Sequence, residues 1–219
     1  MKIHLQREID SLKKQLFHLS SLVEEILNES IQAVTGDNPD VVDAIKAKDV
    51  QIDGLEVEVE EECLKILALH QPVAVDLRFL VAAMKMNNDL ERIGDLAVNI
   101  ARAQRFLARC GGRHLFADQI EKMGEMARRM LSKALESQMN RDPEGARAVM
   151  RDDDEVDTAY YQLIEKVKAE IAAGPEHSEE LIGWIMVAKH IERVADLATN
   201  IAEDTIYMIK GEIVRHGQG

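Results

Sequence analysis

Aromatic residues, prolines and cysteines are scarce in this chain of 219 residues. Aromatics make up 4% of the sequence, and there are four prolines and two cysteines. Few aromatics alongside abundant alanine, leucine, glutamate and lysine are typical of helices packed on helices. Cys63 and Cys110 belong to no close motif, so no disulfide framework is predicted, and this cysteine usage suits a reducing cytoplasm.

Excess positive charge and long apolar runs are also absent. The formal net charge of −13 argues against nucleic acid as a partner and against adhesion to anionic lipid. No apolar run approaches the ~20 residues of a membrane span, and the first residues alternate charged and apolar types, unlike a secretory signal. The sequence therefore predicts a soluble, cytoplasmic protein with no direct membrane insertion.

Motifs of known catalytic chemistry are missing as well. No glycine-rich phosphate loop, nucleophile elbow or Walker-type motif occurs in the sequence. We therefore expect no catalysis, and we expect direct phosphate binding only through a bound metal.

An internal repeat is the most specific feature that is present. Residues 91–101 return as residues 192–202, with eight of the eleven positions identical and an offset of 101 residues. Each copy carries Glu, then Asp four residues later, then Asn after four more. This spacing places the three side chains near one face of a helix.

On a helical wheel, these three side chains continue an apolar stripe. Leu77, Leu80 and Val81 lead into the first copy, and Leu181 and Ile182 lead into the second. Carboxylates that face a core need compensation by a metal ion or by arginine or lysine from a facing helix. Lysine is not a shared solution, because Lys189 of the second copy corresponds to Asn88 of the first.

The rest of the chain repeats in the same way and predicts six long helices. Apolar residues recur at spacings of three and four from about residue 5 to residue 34, and again after each break. The first break lies at residues 36–39, with Asp37 or Asn38 as a candidate cap, and the next lies at Gln71-Pro72. Gly111-Gly112 marks the boundary between halves, and Asp142-Pro143 and Gly174-Pro175 match the two breaks of the first half.

The second helix of each half supplies a further acidic pair. Asp49 and Asp53 correspond to Asp153 and Asp157 at an offset of 104 residues. Asp53 lies 19 residues before Pro72 and Glu91 lies 19 residues after it, so an antiparallel pair of helices would bring them to one height. Four converging carboxylates would repel one another without a cation, and they offer the hard oxygen ligands favoured by Mg²⁺, Ca²⁺, Mn²⁺ or iron. Glu56 and Glu60 extend only the first pair, because Tyr160 and Ile164 replace them, so we interpret both as solvated neighbours.

These motifs, with residues 71–78 (QPVAVDLR), resemble the PhoU family of phosphate-signalling regulators over nearly the whole chain. The resemblance implies an all-α protein of two tandem three-helix bundles, here residues 1–110 and 113–219, often dimeric. It also implies negative control of the phosphate-starvation response and of phosphate uptake. Members connect the phosphate ABC transporter to its sensor histidine kinase.

The resemblance further implies metal ions at the acidic motifs, with iron favoured over Zn, Mn, Mg or Ca, in a multinuclear site. The ligands carried over from the family are Asp49, Asp53, Glu91, Asp95, Asp153, Asp157, Glu192 and Asp196. Asn99 and Asn200 fit either of two roles: amides that pack between helices, or groups that surround the metal ligands. The second site is expected to differ in charge or metal content, since Asp89 corresponds to His190.

Two other functions are alternatives to a metal-binding regulator. A di-iron carboxylate oxidase would use Glu-x-x-His motifs, and none of the seven histidines has an acid three residues before it. A metal-free helical adaptor would leave the acids facing water, lysines or a protein partner.

Overall fold

Six long α-helices make up the fold, in the order that the sequence predicts. The computed structural model describes residues 2–36, 41–111 and 115–212. The helices are α1 (Lys2–Gly36), α2 (Val41–His70), α3 (Ala74–Arg109), α4 (Ala117–Asn140), α5 (Pro143–Ala173) and α6 (Ser178–Lys210), with a short 3₁₀ turn at Pro175–His177 before α6. The all-α prediction is confirmed. The candidate caps Asp37 and Asn38 lie outside the described residues.

The helices form two bundles of three that pack against each other. Helices α1, α2 and α3 contact one another, and so do α4, α5 and α6. The bundles meet through α3 against α6 and α1 against α4. Within the described residues, α2 and α5 contact only helices of their own bundle and the adjoining 3₁₀ turn. Thus α2 and α5 are outer helices, whereas α3 and α6 are inner ones.

The duplication extends to the pattern of burial. Every buried position of α1 from Leu12 to Val34 has a buried counterpart 104 residues later, from Phe116 to Gln138. Most of these positions carry apolar side chains in both halves, because each helix must bury a stripe against two neighbours. Gln138, however, occupies the position that Val34 holds in the first half.

Local sequence explains where the helices begin and end. The Asp142 carboxylate caps α5 by accepting a hydrogen bond from the Glu144 backbone N–H at 3.0 Å, and Pro143 occupies the first turn. Helix α6 ends at Gly211, whose φ of 73° is a conformation that glycine adopts without steric cost. The break that the sequence predicts at Asp142-Pro143 is confirmed.

The two inner helices run antiparallel to each other. Lys85 of α3 donates a hydrogen bond from Nζ to Asp204 Oδ1 of α6 at 2.6 Å. Farther along α3, Phe106 and Leu107 lie against Gly183, much earlier in α6. None of the helices in the described parts of the chain is long and apolar enough to span a membrane.

Candidate functional site

The structure brings the four predicted acids of the first half to one groove between α2 and α3. We call Asp49, Asp53, Glu91 and Asp95 the first acidic quartet. Burial, followed by the charges of Asp53 and Asp95, raises the pKa of Asp49 to about 6. Burial also raises the pKa of Glu91, with further contributions from Asp95, Asp53 and Asp49. These mutual effects place all four carboxylates within electrostatic range of one another.

The second half repeats this arrangement between α5 and α6. The second acidic quartet consists of Asp153, Asp157, Glu192 and Asp196. Burial raises the pKa of Asp153 to about 6, and the charges of Asp196, Asp157 and Glu192 add to the effect. The pKa of Asp196 is raised by burial and then by Glu192. The convergence of two acidic pairs at one height in each half is therefore confirmed.

The expectation that these carboxylates face the core is wrong. Asp53, Asp95 and Asp196 are exposed, and the other five members of the quartets are partly buried. Of the apolar residues that suggested the inward face, Leu80 and Leu181 are buried, whereas Leu77 is 40% exposed and Ile182 is 50% exposed. The quartets line the outer edge of each helix pair, because the wheel position that they share lies beside the buried stripe and not within it.

A glycine allows the two helices of the first site to approach closely. A Cβ atom at Gly94 would lie 3.1 Å from Asp49 Oδ1 and 3.4 Å from Ile52 Cδ1. The equivalent position in the second half is Ala195, which is fully buried. The Asp49 carboxylate thus lies directly over the α3 backbone.

Glu56 belongs to the first site, contrary to the interpretation of it as a solvated neighbour. Its side chain is partly buried, and Asn87 Nδ2 donates to both its backbone oxygen at 2.8 Å and its Oε1 at 3.3 Å. Burial, Glu60 and Asp53 raise the pKa of Glu56. Glu60 is exposed, as expected.

In the second half, a lysine lies in the site. Lys189 Nζ donates to both carboxylate oxygens of Glu192 at 2.6 Å and lies 5.3 Å from the centre of the Tyr160 ring. Hydrogen bonding to Glu192 is the main reason that the pKa of Lys189 is raised. Lys189 therefore neutralises part of the negative charge of the second quartet. Its equivalent in the first half is Asn88, which carries no charge.

The two recurring asparagines have different surroundings. Asn200 is exposed and lines an open groove between α3 and α6 together with Asp89 and Lys85. Asn99 is partly buried, and its Oδ1 accepts a hydrogen bond from Arg102 Nη1 at 3.3 Å. Asn200 therefore belongs to the surroundings of the α3–α6 interface, whereas Asn99 contacts a residue of its own helix.

The donor chemistry of the quartets fits a hard cation. Each offers four carboxylates from two facing helices, and burial with mutual repulsion already disfavours the charged form of Asp49 and Asp153. In the parts of the chain that the structure describes, no group of three or more His, Cys, Asp or Glu side chains is arranged to hold a metal ion. Binding would require the exposed carboxylates to turn toward their partners, and metal at these eight residues stays a prediction.

Comparison with known proteins identifies the family. The PhoU domain model matches residues 16–104 and 120–205, one segment in each half. This chain belongs to the PhoU family.

The PhoU relatives are similar over almost their whole length. A phosphate-specific transport system accessory protein PhoU homolog of Aquifex aeolicus is 34% identical, covering 97% of this chain and 96% of the relative. A homolog of the same description from Burkholderia sp is 32% identical, covering 95% and 90%.

Solved PhoU structures share the fold. PhoU from Pseudomonas aeruginosa gives a TM-score of 0.92 at 29% identity, covering 94% of this chain and 99% of that one. The phosphate transport system regulatory protein PhoU from Streptococcus pneumoniae gives 0.88 at 27% identity, covering 97% and 100%. The architecture of two three-helix bundles is thereby confirmed.

One charged cluster of this PhoU-family chain was missed in the sequence. Asp204, 8% exposed, pairs with Lys85 across the α3–α6 interface, and Asp89, also 8% exposed, lies beside it. Burial and then Asp204 raise the pKa of Asp89 to about 6. The sequence feature that indicates this cluster is a break in the repeat, because Met186 and Ala103 occupy the positions equivalent to Lys85 and Asp204.

His190 stands where the first half has Asp89. Burial, followed by the charge of Arg193, lowers the pKa of His190, which favours the neutral ring. An acidic residue in one half and a neutral imidazole in the other give the α3–α6 interface two different ends.

Proposed function

We propose that this protein is a non-catalytic regulator that restrains phosphate uptake and the phosphate-starvation response when phosphate is plentiful. It acts in the cytoplasm as a homodimer, by contact with the phosphate ABC transporter and with its sensor histidine kinase. Support for the link to phosphate transport comes from the relatives, which are named as accessory proteins of the phosphate-specific transport system.

The observation that carries the proposal is the presence of an acidic quartet in both halves of a chain that matches the PhoU domain twice. Burial and neighbouring carboxylates raise the pKa of Asp49 and Asp153. The charged forms of these two residues therefore destabilise the metal-free protein. Selection for packing alone would not favour that arrangement in two copies. A regulatory role that uses bound cations accounts for it.

Metal ions at the quartets would serve to organise the surface of each bundle. The ligands would be Asp49, Asp53, Glu91 and Asp95 in the first half, and Asp153, Asp157, Glu192 and Asp196 in the second. Iron is the favoured ion, in a multinuclear site, with Zn, Mn, Mg and Ca as alternatives. The Lys189–Glu192 ion pair predicts weaker binding in the second half, because the cation would have to displace the ammonium group.

A metal-free adaptor is the second candidate. The observation that favours it is the outward position of Asp53, Asp95 and Asp196, which leaves these acids available to lysine or arginine of a protein partner. Metal analysis of protein purified without chelator separates the two candidates and leaves the regulatory role unaffected.

Deletion of the gene in its source organism tests the regulation. At high phosphate, we expect the deletion strain to take up phosphate faster and to switch on a phosphate-starvation reporter, and we expect the wild-type chain to restore both. Co-purification from cells grown at high and low phosphate should recover the transporter and the kinase. Unchanged uptake and an unchanged reporter in the deletion strain would contradict the proposed function.

A further inference from the structure

A cleft where the two bundles meet has the features of a small-molecule site. We call it the Gln138 pocket; it is formed by α1 and α3 of the first bundle and α4 and α6 of the second. It encloses about 130 Å³, and its walls include Leu16, Phe79, Met86, Leu135 and Met208. An engineered apolar cavity of roughly 150 Å³ takes up benzene, so this pocket has room for one compact apolar group.

One residue that lines the pocket, Gln138, carries a buried amide nitrogen without a hydrogen-bond partner in the described parts of the chain. Gln138 is 7% exposed, and its Nε2 atom has no hydrogen-bond partner among the described residues. The equivalent residue of the first half is Val34, so the helical repeat itself calls for an apolar side chain here. A buried donor without a partner is unfavourable, and a ligand that brings an acceptor oxygen would satisfy it.

Two cations border the same pocket. Lys13 Nζ lies 5.6 Å from the centre of the Phe79 ring and 3.8 Å from Asp10 Oδ1, and Arg141 also lines the pocket. Arg141 follows α4 with a φ of 54°, at the point where the chain leaves the helix. On a chain with a net charge of −13, paired cations beside an apolar opening indicate an anionic ligand.

The end of the molecule related by the internal repeat lacks these features. Ala117 stands in place of Lys13, Glu180 in place of Phe79, and Glu121 in place of Phe17. Gly124 replaces Ser20, and there the Ile31 side chain packs so closely that a Cβ would lie 2.7 Å from its Cδ1. Lys13, Phe79 and Gln138 therefore have no counterparts of the same type in the other half, and the duplicated fold does not account for them.

We propose that the Gln138 pocket binds a small carboxylate that carries a compact apolar group, of the branched aliphatic or aromatic class. The apolar group occupies the space among Phe79, Met86 and Met208. The carboxylate accepts a hydrogen bond from Gln138 Nε2 and pairs with Lys13 and Arg141. This site is separate from both acidic quartets, and it goes beyond the regulatory role proposed above.

Methionine methyl resonances provide a direct test on the full chain. Three of the ten methionines, Met86, Met139 and Met208, line the pocket. Titration with phenylacetate or isovalerate should shift these three signals saturably and leave the others in place. Phenylethanol and isoamyl alcohol, which lack the charge, should bind at least ~10-fold more weakly, and acetate, which lacks the apolar group, should give no saturable shift.

Paired variants test the contacts. Lys13→Ala should weaken binding of both acids several-fold, whereas Lys14→Ala, one residue along the same helix and outside the pocket, should not. Gln138→Val installs the residue found at Val34, so it should fold. It should weaken the acids roughly tenfold and the alcohols less, because a carboxylate accepts a stronger hydrogen bond than a hydroxyl does.

Several results would overturn the proposal. They are shifts spread over all ten methionines, equal affinity for acids and alcohols, equal effects of Lys13→Ala and Lys14→Ala, or no response to either acid in the wild-type chain.

Discussion

Asp49 of α2 lies over Gly94 of α3, so that a Cβ atom at position 94 would come within 3.1 Å of Asp49 Oδ1. The contact joins the two helices at the centre of the first acidic quartet. In the second half, Ala195 occupies the equivalent position. The two sites therefore differ at the residue beneath the carboxylate, and this difference can be tested by exchange.

Gly94→Ala should make the metal-free protein more stable by about 0.5 kcal/mol. Alanine is favoured over glycine inside a helix by roughly 0.5–1 kcal/mol, and the partly buried Asp49 side chain can give way by a few tenths of an ångström. The displaced carboxylate should lower metal occupancy of the first site. Urea unfolding with chelator and elemental analysis without it measure the two effects. Ala195→Gly is the matched control and should lower stability by about 1 kcal/mol; a net loss in Gly94→Ala would show that Asp49 cannot move.

Metal content should depend on Asp95 of the first quartet and on Asp196, its equivalent in the second. Asp95→Asn together with Asp196→Asn keeps the size of both side chains but removes one negative charge from each site. We expect metal affinity to fall at least ~10-fold, because the remaining carboxylates attract a cation less strongly. Elemental analysis after purification without chelator provides the measurement.

Glu61→Gln with Glu155→Gln is the control for that experiment. It removes the same charge from exposed positions of the outer helices α2 and α5. Equal metal stoichiometry in wild type, control and the Asp95/Asp196 variant would contradict the assignment of the eight ligands.

The metal-free protein should become more stable as the pH falls from about 7 to about 5. Burial and neighbouring carboxylates raise the pKa of Asp49 and Asp153 to about 6 from the usual 3.8. The folded protein therefore binds protons at Asp49 and Asp153 more tightly than the unfolded chain does. The stability that protonation of these two residues contributes is lost as the pH rises through about 6. Thermal unfolding with chelator present should show Tm rising on acidification. Asp49→Asn with Asp153→Asn should flatten this rise, and an unchanged slope would show that other groups cause it.

Loss of Lys85 should weaken the junction between the two bundles. Its Nζ lies 2.6 Å from Asp204 Oδ1, and Asp89 lies in the same cluster. Lys85→Met, which installs the residue found at Met186, leaves two largely buried carboxylates facing each other. We expect a loss of about 1–2 kcal/mol in urea unfolding, below the value for a fully buried pair because the lysine is 38% exposed.

A second substitution checks the cause of that loss. Asp204→Ala, the residue at the equivalent Ala103, should restore part of the stability when it is combined with Lys85→Met, because it removes the repulsion. Lys65→Met breaks an exposed pair within α2 and should cost less than about 0.5 kcal/mol. A double variant less stable than Lys85→Met alone would contradict the electrostatic explanation.

The positions of the helices and the pairing of the acids could be predicted because both depend on the sequence of residues along the chain. The breaks at Pro72 and Pro143 place the adjoining helix ends within about two residues of those observed, which is the usual uncertainty of helix ends, and apolar spacing places the start of α1 three residues late. Equal distances from the Pro72 turn place Asp53 opposite Glu91. The short connections and the duplicated pattern then lead to two bundles of three helices.

The six helices, the duplication and the residues that share each helix face follow from the order of amino acids alone. How far those faces are covered follows from the packing between helices, which leaves Asp95 and Asp196 exposed, ties Glu56 to Asn87, joins Lys85 to Asp204, and opens a pocket at Gln138. These differ because a helical wheel orders the side chains of one helix only around its own axis. Burial, pKa and access depend on which neighbouring helix covers each position, and that is set by the packing of α3 on α6 and α1 on α4.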